Sequence, residues 1–554
     1  MAIGSRSSAA DLRPAWARWM LPSVADLIFV ALLAVLAWTT LSVRLLGDGG
    51  IGWHIRTGQL ILATHAIPHV DPFSAAAYSM APGQPWFAWE WLYDVLVGWL
   101  EAATGLNGVV LFTSLVIAAV FAWTFRLLLR RGTNVLVALI LLLLAVSAGM
   151  IHFLARPHVV SWLLTVAWFW ILESSGDNPS GSESDSDSGF NSKTDLKTGR
   201  TWLLWLLPLL MLVWVNVHGG FLLGFALLAI YWIGAAWQCL KLKEDRFDDV
   251  LRKIRAGRRL RVLTLTGILS ALATLVNPYG RQLHVHIYRY LSNRFLMDHI
   301  DEFQSPNFHY VAQKCFAGLL LLTLVALAAK RREVGVTHSL VVLFAVYSGL
   351  YASRNIPVSA LLLILVIGPW LSQAMERLGD RSPGTQRFAS TRFLQRMESI
   401  EVSLRGHLWP VAAIALSCWV VAHGGKLGAT PLMDAHFDAK RFPSGAVNYL
   451  EKQMIQGPLV SPDYWGGYLI YRLYPRVRMV VDDRHDFYGE EFLKSYLKMV
   501  HVEPGWQNFL EQHEARVVLV PKNSALANIL AETGGWRATY GDDVAVAFVR
   551  TREP

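Results

Sequence analysis

The sequence predicts a polytopic α-helical membrane protein ending in an extracytoplasmic α/β domain. Three observations carry this reading. Of 554 residues, 54% are hydrophobic and only 16% are charged, far from the composition of a soluble domain. About eleven runs nearly free of charge are long enough to cross a hydrocarbon core of about 30 Å. After residue 440 the pattern changes to short β-branched runs alternating with amphipathic stretches, as in a layered α/β domain.

The candidate spans are 24–46, 107–126, 134–151, 159–173, 201–217, 219–240, 262–278, 313–329, 336–352, 356–373 and 407–423. The first is too long for a signal-peptide core and lacks a small-residue cleavage site, so it reads as an anchor. With residues 1–23 (Arg6, Arg13, Arg18) in the cytoplasm, the basic clusters at 126–132, 193–200, 241–261, 330–333 and 374–406 all fall inside. The formal charge of +9 therefore marks cytoplasmic loops and does not suggest nucleic acid. Cys239, Cys315 and Cys418 lie in or beside apolar runs, with neither metal spacing nor a disulfide framework.

Within the span-bearing region, 24–423, three other segments stand apart. In 86–103, Glu90, Asp94 and Glu101 share one helical face while Leu92, Val95, Leu96 and Trp99 lie on another, which predicts an amphipathic helix at the outer interface. Counting it as a span would also put every later basic cluster outside. The Ser/Asp-rich stretch 174–200 reads as a disordered cytoplasmic loop. The cytoplasmic loop 374–406 contains "QRFASTRFLQRME", a candidate basic membrane-surface helix.

This parity brings five polar segments to the outer face: residues 47–105, "LARPH" (154–158), "VNVHGG" (215–220), the stretch from "NPYG" (277–280) to "DEFQSPNF" (301–308), and "YASRN" (351–355). Independent structural loops would have no reason to gather their acids, histidines and arginines on one side. The final region, 440–554, lies on the same side.

In that region "GPLVSP", "VRMVVDD", "ARVVLVP" and "VAVAFVR" read as strands of a mostly parallel sheet, with helices near 443–453, 465–473, 489–500 and 524–533. Asp463 follows the first strand, and Asp482, Asp483, Arg484 and His485 follow the second. The carboxyl ends of parallel strands are where open α/β sheets bind ligands. The glycines of "YWGGYL" suit tight helix packing better than a phosphate cradle.

The candidate catalytic groups are Asp48, Asp71 and Glu90. A carboxylate at the outer surface can take the proton of an acceptor hydroxyl while a cation holds a phosphate leaving group. Asp71, before Pro72, also suits a helix cap or turn. Arg156, His158, His218 and Arg354 are the candidate phosphate contacts, because a guanidinium binds phosphate bidentately; the two arginines could instead snorkel to lipid headgroups. Trp53 and His54 are candidates for shaping a sugar pocket. No spacing resembles a zinc site; a carboxylate pair could share a divalent cation with phosphate, but nothing in the sequence indicates one.

Asp48, Trp53-His54, Gly58, Pro68, Asp71-Pro72-Phe73-Ser74, Trp86 and Trp89-Glu90-Trp91-Leu92 together resemble the first outer loop of a broad group of bacterial GT-C-like membrane glycosyltransferases. Polyprenyl- and dolichyl-phosphate mannosyltransferases and aminoarabinose transferases are related to that group. "ARPH", "VNVHGGF", "NPYG", "EFQSP", "SRN" and the tail "WGGYLIYRL…VVDDRHDFYGEEFLKSY" fit as well, so the resemblance covers the chain outside 174–199 and 374–406. It implies a GT-C-like fold, a lipid-phosphate-linked sugar donor and an essential acid in the first outer loop. Asp48 is then the first candidate base and Asp71 or Glu90 the second. Relatives carry Asp-x-Asp before the Trp-His pair; here Gly50 takes the second position and leaves Asp48 alone, which weakens a metal-binding reading.

The expected activity is transfer of a sugar from a polyprenyl-phosphate donor to a lipid, glycan or protein acceptor at the outer face of a bacterial cytoplasmic (inner) membrane. A lipid-linked-sugar flippase is the alternative, although internal repeats and polar midplane helix breaks are not evident. A non-catalytic envelope scaffold acting through residues 440–554 is the third reading.

Overall fold

A computed structural model describes residues 20–75, 85–176, 200–242, 247–330, 334–379, 401, 404 and 406–551. Most of the loops expected at 174–200 and 374–406 lie outside these residues, as does the basic cluster 330–333 apart from Lys330.

Each apolar run of the sequence coincides with helix. The first half of the helical region comprises α1 (Val24–Ala37), α2 (Ile51–Thr64), α3 (Trp91–Thr104), α4 (Leu106–Arg130), α5 (Val135–Gly149) and α6 (His158–Ser174). It continues with α7 (Leu207–Val217), α8 (Leu222–Lys241), α9 (Phe247–Ala273), α10 (Arg281–Ser292), α11 (Val311–Ala329), α12 (Val336–Tyr351), α13 (Ile356–Gly379) and α14 (Leu408–Ala422). Local chemistry sets their starts: Ser23 and Asp26 form a reciprocal capping box on α1, and the Asn134 side chain accepts from the Leu136 N–H to open α5.

Among the described residues, five helical segments are long and apolar enough to cross a membrane: Leu106–Arg130, Val135–His152, Gly219–Lys241, Val311–Ala329 and Ser353–Arg377. Five shorter apolar helical segments accompany them. Leu143, Leu240, Leu321, Leu324 and Val325 are exposed on their outer surfaces, apolar area that lipid covers at no cost. The chain is a multi-pass membrane protein.

The two ends of the bundle differ. At one end Glu173, closing α6, meets Arg131, Tyr231 and His338, and so ties α4, α6, α8 and α12 together. The start of α6, about 22 Å away at 1.5 Å per residue, carries His158, with Arg156 just before it. The functional-looking groups gather at that second end.

The segment 47–105 is less loop-like than expected. Residues 51–64 form α2, with Ile51, Ile55 and Ile61 buried on one face. The helix expected at 86–103 exists as α3, but its acidic face turns inward. Asp94 is fully buried while Trp99 is exposed. The reason is packing: Gly58 of α2 faces Gly98 of α3, and a Cβ on Gly58 would lie 1.8 Å from the Asp94 carbonyl oxygen. Backbones that close leave the neighbouring side chains no route to water.

The C-terminal region forms a five-stranded sheet from β1 (Gly457–Val460), β2 (Val477–Met479), β3 (Val517–Pro521), β4 (Trp536–Gly541) and β5 (Ala545–Arg550), in the order β2-β1-β3-β5-β4. β1 pairs parallel with β2 and β3, whereas β5 runs antiparallel to both β3 and β4, so the sheet is mixed where a mostly parallel one was expected. β4, absent from the sequence reading, is a partly exposed edge strand without a β-branched run. Helix α15 (Ser444–Lys452) precedes β1, and α16 (Asp463–Leu473), α17 (Glu490–Val500) and α18 (Ala525–Glu532) lie between successive strands.

This sheet is built onto the first loop. Ser74 bridges in parallel to Met479, and the Ala75 N–H donates to the Met479 carbonyl at 2.7 Å, which covers the edge of β2. On α16, Gly467 lies against the backbone of Gly49 and Gly50, where a Cβ would sit 2.4 Å from the Gly49 carbonyl oxygen. The paired glycines of "YWGGYL" thus serve close packing.

Candidate active site

The site begins with what that glycine contact holds in place. Arg156, just before α6, donates from Nε and Nη2 to both carboxylate oxygens of Asp48 at 2.8 Å each. Its Nη2 also donates to Asp483 Oδ2 at 2.5 Å. Asp483 follows β2, so the C-terminal sheet contributes a carboxylate to the membrane-domain site. A Cβ at Gly50 would fall 2.2 Å from Arg156 Cζ and 2.3 Å from Asp483 Oδ2. Only glycine lets the loop pass this close to the trio.

These bonds use Nε and Nη2, and among the described residues none is made by the Arg156 Nη1 N–H groups, which could serve a ligand. Burial pushes the Asp483 carboxyl up to about 6, against the pull of Arg156 and with Asp48 and Asp482 adding to the rise.

Glu90 precedes α3 and lies between two imidazoles. Its Oε2 is 3.7 Å from His54 Nε2 and its Oε1 3.7 Å from His218 Nε2, slightly beyond hydrogen-bond length. Burial raises this carboxyl to about 8; Arg156 and Arg354 pull it down, and Asp486 pushes it further up. A carboxyl that titrates about one unit above neutral pH keeps both protonation states accessible and is suited to proton transfer.

The tautomer of His218 follows from its partners. Its Nδ1 accepts from the Gly220 N–H at 3.0 Å and from Ser161 Oγ at 2.8 Å, while Ser161 Oγ itself accepts from Trp214 Nε1 at 2.7 Å. The ring proton is therefore on Nε2, facing Glu90. Burial, with Arg354 and His158 nearby, keeps this imidazole neutral. A ring whose Nδ1 already accepts two hydrogen bonds is poorly prepared to ligate a metal through Nε2. Among the described residues no group of three His, Cys, Asp or Glu side chains is placed to hold a metal ion.

Arg354 lies at the start of the helical segment leading into α13. It pairs with Glu302 at 3.2 Å and covers the Phe303 ring at 4.5 Å. His158 donates from Nε2 to the His152 carbonyl at 2.8 Å, just behind Arg156. Asp48, His54, Glu90, Arg156, His218 and Arg354 are thus brought into one electrostatic neighbourhood, with His158 behind them.

Asp71 stands elsewhere, and Trp53 packs behind His54. Asp71 accepts from the Phe73 and Ser74 N–H groups at 3.1 and 2.8 Å and from Arg484 Nη1 at 2.7 Å. Arg484 is also forked onto Asp482 at 2.8 and 2.6 Å and lies over the Trp86 ring at 4.8 Å. This buried Asp71–Arg484–Asp482 group fastens the first loop to the sheet. Trp53 stacks on His54 and faces Trp86 edge-on, inside the packing between them.

Several site groups were not singled out in the sequence. Asp94 was marked only as part of the acidic face of an interfacial helix, and Ser161 gave no signal within an apolar run. Glu302 sat unremarked in "DEFQSP". Asp483 was marked only as part of an acidic cluster after a strand.

No protein-family model and no curated protein matches this chain. Among solved structures it is similar to the crystal structure of the Archaeoglobus fulgidus oligosaccharyltransferase, tethered by a disulfide bond to an acceptor peptide containing the NVT sequon. The likeness has a TM-score of 0.52 at 12% sequence identity and covers 96% of this chain and 73% of the archaeal one. It is a likeness of fold, consistent with the polytopic GT-C-like architecture that the sequence resemblance implied.

Proposed function

We propose that this protein is an inverting membrane glycosyltransferase that moves a sugar from a polyprenyl-phosphate-linked donor to an acceptor hydroxyl at the outer face of a bacterial cytoplasmic membrane. One observation carries the reading: a carboxyl raised to about 8, Glu90, lies between two neutral imidazoles and within the field of two guanidinium groups, Arg156 and Arg354. That set supplies both halves of a phosphate-leaving displacement, a proton acceptor and cations for the departing charge. The fold likeness to an oligosaccharyltransferase agrees with it.

In this scheme Glu90 takes the acceptor proton as the acceptor oxygen bonds to the anomeric carbon. The bond from that carbon to the phosphate oxygen breaks, and its electron pair leaves with the polyprenyl phosphate, held by Arg156 Nη1 and Arg354. Asp48, forked onto Arg156, serves as the orienting counter-charge rather than the base, because its carboxylate is already committed to two guanidinium N–H bonds. Asp483 orients Arg156 from the other side. Asp71 and Trp53 hold the loop and His54 in place, and His158 supports Arg156 from behind.

The topology that accompanies this reading has eleven spans, a cytoplasmic N-terminus and an extracytoplasmic domain over 440–554 that closes the site and guides the acceptor. Purified protein given labelled polyprenyl-phosphate sugars and envelope-derived acceptors tests it. Covalent transfer that Glu90→Gln lowers by about 10²- to 10⁴-fold without loss of folded protein supports the enzyme. Movement of the lipid-linked sugar across vesicles with no covalent transfer overturns it in favour of a flippase.

A further inference from the structure

His54 is fully buried, and among the described residues its Nε2 has no hydrogen-bond partner, facing Glu90 at 3.7 Å. On its other side Nδ1 is 2.6 Å from Asp94 Oδ1. Asp94 is equally buried, and among the described residues its Oδ2 has no hydrogen-bond partner either. The contact is enforced by backbone: one turn further along, Gly58 and Gly98 hold α2 and α3 so close that neither side chain can withdraw. Two carboxyl groups thus flank one imidazole, and the distribution of protons among the three determines what Glu90 can do.

The charges around them are unequal. Glu90 feels Arg156 and Arg354 as cations, Asp486 as an acid, and the neutral His54 and His218. Asp94 faces His54 of α2 and interacts with Glu90 and the Tyr93 and Tyr279 hydroxyls; among the described residues no arginine or lysine is in ion-pair contact with it. Negative charge therefore settles on the Glu90 side and a proton on the Asp94 side.

We propose that Asp94 is a positioning residue that stays protonated, donates its O–H to His54 Nδ1, and so fixes His54 as the Nε2–H tautomer. His54 and His218 then aim one N–H each at opposite oxygens of Glu90. The pair favours the Glu90 carboxylate, the form that takes the acceptor proton. No proton moves through His54 in the forward step; Asp94 sets the tautomer and keeps its own proton. The inference rests on the glycosyltransferase reading for its consequence, although its test does not require catalysis.

That test uses the intact protein in detergent without substrates. Infrared spectra recorded from about pH 6 to about pH 9 are expected to contain a protonated-carboxyl C=O band that does not titrate and that Asp94→Asn removes. A second carboxyl band, lost in Glu90→Gln, should titrate; its midpoint should stay in place in Asp94→Asn, whose amide can still donate to Nδ1, and rise by about one unit in Asp94→Ala. Nitrogen NMR of histidine-labelled wild-type protein, with His54→Gln for assignment, should show the His54 proton on Nε2. This measurement stands if the Asp94 variants fail to fold. An ionised Asp94 across this range, a His54 proton on Nδ1, or a Glu90 midpoint that ignores Asp94→Ala overturns the inference. Absence of sugar transfer with all three spectroscopic results intact would instead overturn the reaction assigned to the site.

Discussion

Arg156 Nη2 and Asp483 Oδ2, 327 residues apart in the chain, meet at 2.5 Å. The same guanidinium is forked onto Asp48 in the 47–105 segment, so the membrane helices and the C-terminal sheet build one site jointly. A fork of this kind needs a planar guanidinium. Arg156→Lys should therefore lose about 1.5–3 kcal/mol of charge-assisted hydrogen bonding, read as a 10- to 100-fold drop in sugar transfer with the fold intact by circular dichroism.

Gly50 gives an independent probe of the same trio. A single methyl group at this position would overlap Arg156 Cζ, so Gly50→Ala should displace the guanidinium and lower transfer at least as much as Arg156→Lys. Ala at Gly219, where a Cβ meets nothing within 4 Å, should leave transfer unchanged and serves as the control.

Arg484 should behave as a stability residue. It is almost fully buried between Asp482 and Asp71, and Arg484→Leu would leave two carboxylates in the interior without their cation. Thermal unfolding should report a loss of about 3–5 kcal/mol, and Asp71→Asn in the Arg484→Leu background should recover part of it. A fully stable Arg484→Leu protein would mean that the loop is held to the sheet by other contacts.

Glu90 predicts two pH effects of opposite sense. As a base it acts when ionised, so transfer should rise with pH and level off above about 8. For stability the sign reverses: a carboxyl raised from 4.5 in the unfolded chain to about 8 in the native state stabilises the fold below the lower value, and this is lost as pH rises through about 8. Melting temperatures of wild type and Glu90→Gln should therefore diverge on going from about pH 6 to about pH 9, with the variant the less sensitive.

Where the sequence was legible, period and charge carried the information. Hydropathy located the apolar helices, and β-branched runs located four of the five strands, because each signal repeats over many residues. The placement of basic clusters put Asp48, Glu90, Arg156, His218 and Arg354 at one end of the bundle, and they are neighbours there. What escaped depends on single contacts between distant segments. Asp94 looked like the polar face of an interfacial helix until the Gly58–Gly98 contact turned it inward. Asp71 and Asp48 were both candidate bases in the sequence, Asp71 with a cap or turn as its other reading, and their partners, Arg484 for one and Arg156 for the other, distinguish them. Nothing local in "VVDDRH" distinguishes Asp482, which binds Arg484, from Asp483, which reaches Arg156.

The central claim is that one outward-facing site holds the donor phosphate on Arg156 and Arg354, with Glu90 on the acceptor side. A cryo-EM structure of the protein with a polyprenyl-phosphate sugar analogue addresses it most directly. The account predicts phosphate density in contact with both guanidinium groups and Glu90 within hydrogen-bond reach of the space beside the anomeric carbon. Phosphate bound at the opposite end of the bundle, beside Arg131 and Glu173, would contradict it.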